Sequence, residues 1–276
     1  MSPAPSPSTI QPELPRSAPT TPHPTPLPDI PICAVLLLLF LSAIPLHLHR
    51  PKTTPSPRTV PLPARLLLIF TLLRTTALAL RIATAARPAS SGLAIASSAF
   101  TSAGVAILLV LNLVLTRRWL RDYSRFGHGV HLLRLFRFLV FCVISCLVMV
   151  VSASVDRFFL RDEGNLRSAR DVVRAGMCIL LGLAGVPVAG VGVGMVPGVR
   201  EGEKMREDGR RGWVRMGALV GTAVLLMVEV GFRTGVEFQT AEGWWNGRAA
   251  LYCFVFGVEV VVVWVYGVVR VLGVEM

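Results

Sequence analysis

The chain has 276 residues, 53% of them hydrophobic, and a formal net charge of +12. Apolar residues arranged in long blocks exclude a soluble α/β protein, whose buried strands run only about 4–8 residues. The charge does not imply nucleic-acid binding: lysine occurs only at Lys52 and Lys204, and the arginines mostly sit in loops flanking apolar spans, where membrane topology accounts for them.

Residues 1–29 are rich in Pro, Ser and Thr and hold no apolar run. Such a segment cannot bury enough surface to offset its ordering entropy, so it is expected to be a disordered tail. It lacks a basic stretch next to an apolar core and is not read as a signal peptide. The rest, 30–276, is expected to form one membrane domain. Seven apolar spans are predicted there, Ile30–Leu48, Leu66–Ala86, Leu93–Leu115, Leu135–Val155, Val172–Met195, Val214–Thr234 and Ala249–Val271. Each is long enough to cross a hydrocarbon core of about 30 Å as a helix. Pro45 predicts a bend or an interfacial end for the first span. Gly182, Gly185, Gly190, Gly192, Gly194 and Pro187 make the fifth a candidate for irregular or close packing.

The loops after spans one, three and five carry fourteen basic residues, against seven on the opposite side. The positive-inside rule then puts the N-terminus outside and the C-terminus in the cytosol. Trp119, Trp213, Trp244 and Trp245 lie just beyond predicted span ends, where an aromatic belt belongs. Glycine pairs at four-residue spacing, Gly190/Gly194 and Gly217/Gly221, predict a close approach of helices five and six. The expected fold is therefore all-α: a seven-helix transmembrane bundle in a lipid bilayer, the plasma membrane favoured over internal membranes.

The chemistry lies in the charges within spans. Arg74 and Arg81, seven residues apart in span two, share one helical face. An arginine in hydrocarbon costs at least about 2.5 kcal/mol, so both are expected to face the bundle interior with partners. Glu229 lies in span six and Glu259 in span seven. At 1.5 Å per residue, Arg74 is about 12 Å and Glu259 about 15 Å from a span end, while Arg81 and Glu229 are each about 7.5 Å deep. Matching levels predict two ion pairs, Arg74 with Glu259 and Arg81 with Glu229. Arg233, one turn beyond Glu229, either competes for that acid or snorkels to the surface. In span three, Asn112, Thr101 and Ser102 are candidate polar lining. The charges act either as a lock on the bundle or as an outward-facing site for a cation or proton.

No lysine lies in a span, so a retinal Schiff base is excluded. None of the five histidines is deep enough to ligate haem or an intramembrane zinc, and Cys142 and Cys146 have no further metal ligands nearby. No cofactor or metal is expected. Nor is an enzyme, because no nucleophile–base set is visible. Arg121, Asp122 and Tyr123 invert the Asp-Arg-Tyr order of rhodopsin-like receptors.

Leu73, Arg74, Leu80, Arg81, Ile82, Ala103, Gly104, Val105, Asn112, Arg117 and Arg118 together resemble a fungal family of multi-spanning membrane proteins catalogued as a domain of unknown function. Gly231, Phe232, Arg233, Trp244, Tyr252, Glu259 and Arg270 extend the resemblance over most of residues 32–271. The loop from Tyr123 to Gly129 and the glycine-valine-rich fifth span depart from it. The last two spans are similar to the fungal lipid-translocating exporter-like family, in which an Arg and a Glu on helix six precede a Glu on helix seven. That similarity implies seven helices and a lipid or amphiphile exporter, or a sensor for one. Neither family supplies catalytic residues. The leading expectation is a transporter-like or exporter-like protein handling an unspecified small amphiphile or ion. The alternative is a seven-helix receptor or sensor signalling through cytosolic loops 116–134 and 196–213.

Overall fold

A computed structural model describes residues 26–48, 62–87, 90–124, 129–159, 162–196, 209–239 and 247–271. The described elements are all helices: α1 Pro26–Leu48, α2 Leu62–Ala86, α3 Ser91–Tyr123, α4 Val130–Phe159, α5 Glu163–Gly194 and α6 Arg210–Phe238. The seventh, α7, runs continuously through Arg248–Leu251, a π-helical turn Tyr252–Gly257 and Val258–Val271. All seven are long and apolar enough to cross a membrane. The chain is a polytopic integral membrane protein with the expected seven-helix fold. Residues 1–25 of the expected tail lie outside the described residues, as do Trp244 and Trp245.

Helix α1 starts at Pro26, earlier than the apolar run. Leu27 has extended backbone angles (φ −119°, ψ 117°). A residue before proline avoids the helical region, so Pro28 sets where the regular helix begins. The early start brings Asp29 into the first turn, where it is buried.

Helix α3 is the hub, packing against α2, α4, α5 and α6; α1 closes the ring between α2 and α7. At 33 residues, α3 is about 50 Å long and projects beyond the hydrocarbon core. On α4, Phe138, Phe141, Ile144 and Val148 form an exposed stripe at helical spacing. Water would penalise such a stripe; lipid tails do not.

Helix α5 stays helical through Pro187. Its glycines serve a different neighbour from the one expected. A Cβ on Gly194 would meet the Trp119 ring at 2.6 Å, and one on Gly190 would meet Thr116 at 3.1 Å, so this stripe faces α3, while α5 packs on α6, as expected, through other residues. Gly217 and Gly221 of α6 face open space, with nothing within 4 Å of an added Cβ. The spacing of small residues was readable from the sequence, but the face they turn to which neighbour was not. Trp119 is buried by the same contact and does not belong to an aromatic belt; Trp213 is exposed.

Candidate intramembrane site

Arg74 and Arg81 both point inward, as their seven-residue spacing requires, and both are buried. Arg74 Nη2 donates to Glu259 Oε1, forming the expected ion pair with both side chains fully buried. Its Nη1 donates to the Thr101 carbonyl at 2.8 Å. That oxygen has a second lone pair beyond the one used in the helix ladder. The guanidinium carbon lies 5.5 Å from the ring centroids of both Phe70 and Phe256, a pair of cation–π contacts in the buried interior. Helix α3 makes room for this group with Gly104, where a Cβ would collide with the guanidinium.

Glu229 is fully buried, and its partner is Arg233, whose Nη2 donates to Glu229 Oε1 at 3.0 Å, one turn along α6. The expected pairing of Arg81 with Glu229 is thus replaced by a local one. An i,i+4 partner on the same helix is in reach without any tertiary adjustment. Arg233 Nη2 also lies 3.8 Å from Glu259 Oε1, and both terminal nitrogens are 3.5 Å from the Thr101 carbonyl. The four groups therefore form one cluster, Arg74–Glu259–Arg233–Glu229, whose formal charges sum to zero. Among the described residues, Glu229 Oε2 and Glu259 Oε2 accept no hydrogen bond.

Arg81 belongs to a second cluster one level away. Its Nε donates to the Tyr252 hydroxyl at 3.0 Å, and that hydroxyl donates to Asp29 Oδ1 at 2.8 Å. Cys33 Sγ is 3.3 Å from the same hydroxyl, and the Arg81 guanidinium lies over the Tyr252 ring at 5.3 Å. Asp29 and Tyr252 were missed because both sit at span edges, where hydropathy counts one as tail and the other as part of an apolar run.

A polar cleft opens beside the first cluster. Ser98, Thr101 and Ser102 of α3, Ser154 of α4, and Arg233 and Glu237 of α6 share its lining with apolar side chains including Val173, Met177, Phe232 and Val236. Its volume is about 30 Å³, room for a water molecule or a small charged group. Thr101 and Ser102 thus stand where a polar lining was expected, although the Thr101 hydroxyl is spent on the Ser97 carbonyl at 2.7 Å. Glu237 is fixed from two helices: Arg157 Nη2 reaches its Oε2 at 3.2 Å, and Arg174 Nε donates to its carbonyl at 3.0 Å. Arg157 lies just past the predicted fourth span, yet its side chain is only 7% exposed.

Asn112 does not line this cleft. Tyr266 donates to Asn112 Oδ1, and Thr222 Oγ1 lies 2.6 Å from the Tyr266 hydroxyl. This separate knot joins α3, α6 and α7, and interhelical hydrogen bonds of this kind hold membrane helices together.

In comparisons with protein-family models, with curated proteins and with solved structures, nothing matches this chain.

Proposed function

We propose that this membrane protein is transporter-like, with Arg74, Arg81, Glu229, Glu259 and Arg233 as its intramembrane charged groups and a small amphiphile or ion as its cargo. The observation that carries the reading is the position of Arg233. It is the one member of the four-charge cluster that also lines the cleft, and its side chain is 11% exposed where Glu229 and Glu259 are 0%. A structural lock has no need of a cleft leading to its ion pairs; a site does. The loop-charge asymmetry supports an outward-opening cleft, and the similarity of the last two spans to exporter-like proteins supports an amphiphilic cargo. The receptor alternative rests on loops whose residues 125–128 and 197–208 lie outside the described residues, and no observation favours it.

The test is ligand flux in proteoliposomes. Glu229→Gln should accumulate near the wild-type level and lose flux; Glu259→Gln, which also strands Arg74, should lose flux at a lower abundance. Unchanged flux per molecule in both sinks the reading in favour of a lock.

A further inference from the structure

We propose that the cleft beside Arg233 binds the anionic group of its ligand, a carboxylate or phosphate monoanion, together with one proton taken up by Glu229. The inference rests on the transport reading and names the ligand chemistry of the same site.

Two arginines and two carboxylates already balance in a buried cluster, so an added anion alone would leave one uncompensated charge in a low-dielectric interior. A proton from the aqueous phase removes that imbalance. The cluster indicates which group receives it. Glu259 Oε1 is held by Arg74 and also lies 3.8 Å from Arg233, whereas among the described residues Glu229 has one ion-pair contact, to Arg233. Glu229 Oε2 is fully buried and has no hydrogen-bond partner among the described residues, so it is a vacant acceptor for a proton. Protonation there leaves Glu229 neutral. Arg233 Nη2, now 3.0 Å from Glu229 Oε1, is then free to turn its donors to an anion in the cleft.

The surrounding groups support the choice. From α2, Arg74 faces the cluster but is committed to Glu259 and the Thr101 carbonyl. From α3, only that carbonyl and hydroxyls face it. Glu237 of α6, at the cleft wall, is paired with Arg157 of α4, and its carbonyl with Arg174 of α5. Asp29 of α1 is engaged by Tyr252 near Arg81. Arg233 is thus the cation at the cleft. A cleft of about 30 Å³ takes an anionic head, and the apolar wall of Val173, Met177, Phe232 and Val236 lies beside it. A free small anion and the head of an amphiphile share this chemistry.

The experiment uses the full chain in phosphatidylcholine nanodiscs, with empty nanodiscs as baseline, and sodium acetate or sodium octanoate as probes. Binding is followed by calorimetry and proton uptake by a pH indicator. The wild type should take up about one proton per anion bound, and its affinity should fall about tenfold per unit rise in pH above the titration of Glu229. Glu229→Gln should bind the anion with no proton uptake. Arg233→Gln should bind about tenfold or more weakly. Acetate binding as tightly as octanoate identifies a free anion; octanoate bound well above acetate identifies an amphiphile. Binding without proton uptake in the wild type, no binding of either probe, or unchanged affinity in Arg233→Gln overturns the proposal. If Glu229→Gln does not accumulate, the pH dependence of the wild type decides. Flux that needs Glu229 without proton-linked binding overturns this inference alone. Proton-linked binding without flux overturns transport and leaves the site.

Discussion

Arg74 and Arg233 touch the same carboxylate and the same carbonyl, yet their surroundings differ. Arg74 is walled in: two aromatic rings flank it, Gly104 lies against it, and its side chain is 0% exposed. Arg233 stands at the edge of a cleft, 11% exposed, sharing two acids that each keep an oxygen unused among the described residues. One arginine is built into the packing of α2 on α3; the other is reached from the cleft, where the transport proposal puts its ligand. The difference teaches that a buried charge is structural or functional according to whether anything else can reach it, and not according to its depth.

The largest effect should come from Arg74→Met, which strands Glu259 in the interior and should cost about 3–5 kcal/mol. Thermal unfolding in detergent checks it, and adding Glu259→Leu should restore part of the loss, since the pair removed together leaves no lone charge. Next, Gly104→Ala forces a methyl into the Arg74 guanidinium and should cost about 1–3 kcal/mol. In an Arg74→Met background most of that cost should vanish, a coupling that a double-mutant cycle reads directly. Arg233→Gln should shift the unfolding midpoint by less than half as much as Arg74→Met while abolishing flux. If the two shifts are equal, the contrast between the two arginines fails. The smallest effect belongs to Gly221→Ala, whose new methyl meets nothing within 4 Å; unfolding should change by no more than about 0.5 kcal/mol.

Hydropathy located seven helices because a hydrocarbon core demands about 20 apolar residues wherever it is crossed, whatever the neighbours. Depth found the partner of Arg74 because both it and Glu259 sit at mid-level, where few alternatives exist. The same reasoning misassigned Arg81, since depth gives a level but not a direction around the helix. Nearer the bundle end, Glu229 had Arg233 one turn away, and Tyr252 and Asp29 stood at the level of Arg81. The cleft was half legible, through Thr101 and Ser102. Glu237 and Arg157 were not, because charges just past an apolar run look solvated until the helices prove longer than the run.

The π-helical turn Tyr252–Gly257 sets the phase of α7. Tyr252 and Glu259 are seven residues apart, like Arg81 and Arg74, but the wide turn between them breaks the match in angle that two regular helices would keep. The top of α7 is therefore indexed to α1 and α2, through Asp29, Cys33 and Arg81, while the stretch below is indexed to Arg74 and Arg233. Deleting one residue inside the turn would rotate one half against the other by roughly 100°. The two clusters could then no longer both close, so a change of one residue in length would be felt at two separate addresses.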